Sequence, residues 1–380
     1  MERAPVSPPY IEGRDIKLIF TILAFLTSKM RDIKIEFRKP IYPIGKSLEE
    51  YLEKNNRTTH IKIFYEDLLR FSGYTSLVDK NGKDTYWLDV FYPEFEYLEI
   101  ETSLNKIYTL LHSDGDEETL PFLKVDSIHF CTFGNSKPFR IRVRNILNDN
   151  YTNFYIKKAD ASRIYGLEFE DIFSPNRINF LVYKDTLIEE HILGIPGDVF
   201  IENYLPDCTE PEKAQIAKEY VKFNERCMIG LLGDMRSYNY VVIPIHDFDQ
   251  VVYRIRAIDF DQQSYEGQLK IYVPQYFKEN FKMVELVNEK LKPNSIEQYR
   301  KEVRSAIAKR VLTSNQRYKD LIEIMKTDNI STPEKISELS TSLQKLTYNS
   351  QFKKCKTMGE ILETGINFII KNYQHSQIKK

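Results

Sequence analysis

The chain has 380 residues, with 54 Lys and Arg set against 55 Asp and Glu for a net charge of −1, and 42% of it is hydrophobic. This length suggests two or three folding units, or one bilobed domain with an extension, and 25 Tyr with 23 Phe argue against extensive disorder. The balanced charge gives no electrostatic reason to expect nucleic acid or an anionic membrane as partner. Cys131, Cys208, Cys227 and Cys355 are far apart and form no Cys-x-x-Cys pair. That speaks against zinc and a disulfide framework, and for a reducing cytoplasm.

Residues 1–13 carry Pro5, Pro8, Pro9 and Gly13 and read as an irregular tail, followed by a helix from about Asp15 to Lys29. Its apolar run, LIFTILAFLT, is too short to span a bilayer and lacks a signal-peptide cleavage pattern, so a buried helix is expected. YEDLLRF (65–71) also reads as helical. In 96–111, Tyr97, Ile100, Leu104, Ile107, Tyr108 and Leu111 recur at helical spacing and should bury one face. HSDGDEE (112–118) breaks the pattern and is taken as a boundary.

Three short β-forming runs follow: SIHFCTF (127–133), FRIRVRNI (139–146) and NFYIKKA (153–159). DASRIYGLEFEDIF (160–173) reads as a helix with Asp160 or Ser162 near its start. NFLVYKD (179–185) and TLIEEHI (186–192) are two more strands around a Lys-Asp turn. A long helix covers 211–231. GDMRSYNYVVIP then enters a strand, HDFDQ (246–250) turns, and VVYRIRAIDFD (251–261) returns. Residues 275–345 read as helical with breaks near Pro293 and at 328–333, and 357–373 as a last amphipathic helix.

The chemistry concentrates in GDMRSYNY (233–240) and IDFD (258–261). Phosphoryl transfer from ATP needs a carboxylate to take the acceptor's proton, oxygen ligands for magnesium, and a cation on the phosphoryl oxygens. Asp234 suits the first role. The amide oxygen of Asn239, five residues on, suits a hard metal. Asp259, at the end of the next strand, would meet Asn239 across a hairpin. Asp261 is open to two readings, a second magnesium ligand or a cap of the following turn. Arg236, two residues after Asp234, is a candidate for contact with the transferring phosphoryl group, or for pairing with Asp261 or a surface carboxylate.

At these residues the chain resembles the protein-kinase-like superfamily. The likeness is closest to its aminoglycoside phosphotransferase and choline kinase branch, where Gly-Asp, an Asn five after the Asp, and a hydrophobic-Asp-aromatic motif recur. The same residues are similar to the isocitrate dehydrogenase kinase/phosphatase. The resemblance covers roughly residues 125–300. It implies an α/β (α+β) bilobed kinase-like fold, with an N-lobe (121–192) and a C-lobe with helical tail (193–380), while residues 1–120, outside the resemblance, read as a mainly helical extension. It also implies ATP and Mg2+ as cofactors and an alcohol-group acceptor, small molecule or protein.

The resemblance asks for a lysine on the third strand. Strand alternation favours Lys157 over Lys158, since Phe154 and Ile156 then take the buried face. It asks for a glutamate on the next helix. Glu168, four residues after Ile164, is preferred to Glu170 by helix geometry. It makes Glu190, His191 and Ile192 the hinge whose backbone would meet adenine. FGNSKP has a single glycine, Gly134, so phosphate contacts there would come from Asn135, Ser136 or Lys137. No Ala-Pro-Glu motif follows IDFD, which argues against a eukaryotic-type protein kinase. Two rival readings remain: nucleotidyl transfer to a protein, and a nucleotide-binding scaffold without catalysis.

Overall fold

The structure, a computed structural model, describes residues 39–113, 115–248 and 250–378. The helix expected over 15–29 lies outside these residues. In chain order the elements are α1 (Lys46–Lys54), α2 (Tyr65–Leu68), β1 (Gly73–Val78), β2 (Asp84–Phe91), α3 (Glu94–His112), β3 (Leu123–Cys131), β4 (Phe139–Asn145) and β5 (Asn150–Lys158). Next come α4 (Ala161–Phe173), β6 (Phe180–Tyr183), β7 (Thr186–Glu190), β8 (Ile195–Pro196), α5 (Gly197–Asn203), α6 (Glu210–Gly230), β9 (Tyr240–Asp247) and β10 (Gln250–Ala257). The chain closes on α7 (Phe281–Lys290), α8 (Pro293–Thr313), α9 (Asn315–Thr327), α10 (Pro333–Thr347) and α11 (Met358–Ile378). The protein is thus mixed α/β with antiparallel sheets. No helix among the described residues is long and apolar enough to cross a membrane.

A seven-stranded antiparallel sheet runs β1-β2-β3-β4-β5-β7-β6, and a second, three-stranded one runs β10-β9-β8. The three expected strands before α4 and the two after it are all present. The β1–β2 hairpin was not expected. It extends the same sheet from the stretch read as a mainly helical extension. Its connection carries Asn81-Gly82, with Gly82 at φ +77° and the Asp79 amide bonded to the Lys83 carbonyl at 2.8 Å. An Asn-Gly pair between β-forming runs is a strong hairpin signal, because the turn needs positive φ. YEDLLRF yields only one helical turn, α2.

The two faces of the large sheet meet different cores. Phe154, Ile156 and Ile188 pack with Leu104, Ile107 and Leu111 of α3 in one apolar cluster, with Tyr97, Ile100 and Tyr108 at its margin. The face predicted for α3 is the one it buries. Leu187 on the opposite face joins a second cluster with α4, α6 and the C-terminal helices. Alternation therefore directs Tyr155, Lys157 and Glu189 toward α4, with Tyr155 opposite Glu189 and Lys157 opposite Leu187 in register. α4 is buried on nearly all sides, as expected of a core helix.

Candidate active site

α4 starts where the Asp160 side chain accepts the Ser162 amide at 2.9 Å, the cap expected there. Asp160 also pairs with Lys39 at 2.7 Å. Two turns in, Gly166 lies against Phe260 so closely that a Cβ there would come within 2.9 Å of the ring. The glycine lets α4 press on the IDFD segment, and Arg163 then reaches three carboxylates. Its Nε donates to Glu189 Oε1 at 2.6 Å, and its Nη1 donates to Asp259 Oδ1 at 3.0 Å and to Asp261 Oδ1. Lys157 Nζ donates to the other Glu189 oxygen at 2.5 Å. A continuous ionic row therefore runs Lys157, Glu189, Arg163, Asp259, Asp261.

Burial alone would push the Glu189 carboxyl up, but Arg163 and Lys157 outweigh it and hold it down to about 2. Asp259 goes the other way. Burial and the neighbouring Asp261 raise it, against the opposing pull of Arg163 and Lys157. About a third of the Asp259 side-chain surface (34%) nevertheless stays open, whereas Arg163 is only 2% exposed. The carboxylates are thus the solvent-facing side of the row and the guanidinium stands behind them.

The second half of the site is the loop after α6. Leu231 ends that helix in the left-handed conformation, φ 52°, and Leu232 bridges Gln263. A Cβ on Gly233 would lie 2.9 Å from the Gln262 carbonyl oxygen, so only glycine fits. Asp234 also sits at positive φ, 58°, a conformation that costs a non-glycine residue about 1 kcal/mol or more and clusters at functional sites. Its amide is held by the Ile271 carbonyl at 3.1 Å. Its own carbonyl accepts the Asn239 amide nitrogen at 2.7 Å, which leaves the Asn239 oxygen pointing away. The Ile258 amide donates to the Asn239 carbonyl at 3.1 Å, one step beyond the β9–β10 register that pairs Tyr240 with Ala257. The hairpin therefore sets Asn239 opposite Ile258, the residue before Asp259.

Burial pushes the Asp234 carboxyl up to about 6, with Asp259 and Glu279 adding to the rise and Arg236 opposing it. Arg236 spans both acids: its Nε donates to Asp234 Oδ1 at 2.8 Å and its Nη1 to Glu279 Oε1 at 2.7 Å. The guanidinium lies 4.9 Å from the centre of the Phe277 ring. Arg236 therefore pairs with Asp234 itself and with Glu279, and not with Asp261.

Lys157 is buried, whereas Lys158 pairs with Glu66 at the surface at 2.9 Å. Glu168 is not the partner of Lys157. It faces away, fully buried, and accepts from Arg57 at 2.8 Å, Tyr51 at 2.7 Å and Arg317 at 2.7 Å. Glu170 accepts from Ser174 at 2.7 Å. The strand residue Glu189 holds Lys157 instead. At the expected hinge, the Glu190 amide donates to the Asn179 carbonyl at 2.9 Å, so it does not offer a free donor to a ligand. His191 Nδ1 lies 3.2 Å from the Tyr155 hydroxyl, and Ile192 is buried. Gly134, Asn135 and Ser136 form the tip of the β3–β4 hairpin. That tip is fixed by Phe133 against Tyr86, ring centres 5.5 Å apart, and by the Tyr65 hydroxyl on the Lys137 carbonyl at 2.8 Å.

Arg163 and Glu189 escaped the sequence reading, although both leave a trace in it. Leu187 and Glu189 share a strand face, so one of the two adjacent glutamates must turn inward. Arg163 is the one cation in the otherwise apolar or acidic run ASRIYGLEFEDIF. Among the described residues no group of three or more His, Cys, Asp or Glu stands ready to hold a metal. The candidate ligands are two carboxylates and an amide. A scan against protein-family models and a search of curated proteins found no match to this chain.

Proposed function

We propose that this chain is a bilobed, kinase-like phosphotransferase that moves the ATP γ-phosphate to an alcohol group, with residues 121–192 and 193–380 as its lobes. The observation that carries the reading is the convergence of Asp234, Asn239 and Asp259 at the end of the β9–β10 hairpin, with Asp259 also joined to Lys157 through the ionic row.

Asn239, Asp259 and Asp261 fit magnesium, a hard cation that accepts few protein oxygens and completes its shell with water and phosphate. The Asp259 carboxyl is raised by burial and by Asp261, against the opposing pull of Arg163 and Lys157. When bound, the ion would neutralise charge on the phosphate oxygens. Lys157, held by Glu189, is the side chain for the nucleotide phosphates. Asp234, with its carboxyl near 6, is ionised at neutral pH and can take the proton of an acceptor hydroxyl. Arg236 orients that carboxylate.

The test is ATP labelled at the γ or the α phosphate, incubated with a panel of alcohols and proteins. Transfer of γ label supports the reading. Transfer of α label makes the chain a nucleotidyl transferase, and binding without transfer of either makes it a scaffold. Asp259→Ala should weaken Mg-ATP binding by more than about a hundredfold in calorimetry, beyond the cost usual for residues that only support a ligand. Unchanged affinity in the folded variant would remove Asp259 from the metal.

Arg236→Gln should move the acid limb of turnover to higher pH, because Arg236 opposes the rise of the Asp234 carboxyl. An unshifted pH profile would mean that the arginine does not act through Asp234.

A further inference from the structure

We propose that Arg163 is a built-in counter-ion for the Asp259–Asp261 pair, refusing free divalent metal so that the ion is accepted only together with its nucleotide. This rests on the reading that these carboxylates hold the metal.

One guanidinium nitrogen, Nη1, serves both carboxylates. The rest of the group is fixed by Glu189, at 2.6 Å from Nε and 3.5 Å from Nη2. Arg163 is 2% exposed, against 34% for Asp259 and 17% for Asp261, so an ion arriving from solvent meets the carboxylates first, with the arginine already neutralising them. In the row, Lys157 and Arg163 oppose Glu189, Asp259 and Asp261, leaving a single net negative charge. A bare dication would leave the row positive, with a buried cation a few ångströms from the ion. Even at the moderate effective permittivity of a protein site, one unit charge at that distance changes affinity by about tenfold or more. Nucleotide phosphates arriving with the metal bring the missing negative charge. A guanidinium fork is also suited to turn from carboxylate to phosphate oxygens. Arg163 does not lose its proton in this exchange. It changes partners.

The experiment titrates Mn2+ into the full chain without nucleotide, read by electron paramagnetic resonance. Wild type, Arg163→Gln, Arg163→Lys and the Arg163→Gln/Asp259→Ala double variant are compared. Arg163→Gln should bind Mn2+ at least about tenfold tighter than wild type, Arg163→Lys should fall between them, and the double variant should lose the gain. Arg163→Gln leaves three carboxylates against Lys157 alone, which makes its fold depend on metal. Its unfolding midpoint should then rise with Mg2+ more than that of wild type. Equal Mn2+ affinity in wild type and Arg163→Gln, with no extra Mg2+-dependent rise, overturns the proposal. A gain that survives Asp259→Ala also overturns it, since the metal would sit elsewhere. Failure of the phosphotransferase reading would show separately, as absence of label transfer by the wild type, and would leave the Mn2+ comparison standing.

Discussion

Asp234→Asn should retain Mg-ATP binding and lose turnover by about 10²–10⁴-fold, the usual range for removing a positioned general base. The amide keeps an oxygen for the Arg236 Nε bond and preserves the shape of the loop, so the loss falls on proton transfer. Below pH 6 the wild type should follow the variant downward, because its carboxyl titrates near 6. The stability effect has the opposite sense. The folded pKa is raised from the ordinary 3.8, so the fold favours the neutral carboxyl. That contribution is fully present below about pH 4 and is lost as pH rises through 6. At pH 8 the ionised wild-type group costs at most about 3 kcal/mol. Asp234→Asn should therefore unfold at higher temperature than wild type at pH 8, and the two should converge near pH 4. Turnover within threefold of wild type would place the base elsewhere. A variant less stable than wild type at pH 8 would contradict the raised pKa.

Much of this site was legible because its parts are set by short-range rules. Gly233 is required by the approach of the Gln262 carbonyl. The five-residue interval from Asp234 to Asn239 is closed by a side-chain bond to the Asp234 backbone, and a tight hairpin brings Ile258, the residue before Asp259, back opposite Asn239. Strand alternation distinguished Lys157 from Lys158 for the same reason. What failed was absolute orientation. Helix periodicity gives angles between residues of α4 but not which side meets the sheet's open face. Glu168 shares a face with Ile164, which is a fully buried core residue, whereas the neighbouring Arg163 points at the carboxylates. Glu168 was then assigned to the wrong neighbourhood. Its actual partners, Arg57 and Arg317, lie 111 and 149 residues away along the chain, beyond the reach of any local pattern. The β1–β2 hairpin is a different case, since its Asn81-Gly82 turn is written in the sequence between flanking helical patterns.

Replacing Glu168 tests that reassignment by a large effect on stability rather than on nucleotide. Its carboxylate is fully buried and links three parts of the chain: Tyr51 of α1, Arg57 just after α1, and Arg317 of α9. Asp171 shares the load, bonding Arg57 at 2.8 Å and Arg317 at 2.8 Å. Arg57 is 5% exposed at its side chain and is further shielded by the Phe180 ring, 4.6 Å away. Glu168→Gln leaves two guanidinium groups with one carboxylate, and of the two Arg57 is buried while Arg317 keeps 29% of its side chain exposed. Breaking a buried pair from one side costs about 3–5 kcal/mol, because the abandoned charge stays desolvated. The variant should therefore show a markedly lower urea midpoint, while calorimetry on its folded form finds Mg-ATP affinity within about threefold of wild type. Glu189→Gln gives the counterpart. It frees Lys157 and Arg163 from their shared anchor, and its Mg-ATP affinity should fall by about tenfold or more, in line with the loss of a supporting partner at a ligand site. If Glu168→Gln instead weakens Mg-ATP with no change in midpoint, Glu168 belongs to the nucleotide site and the ionic row through Glu189 does not hold Lys157 in the working enzyme.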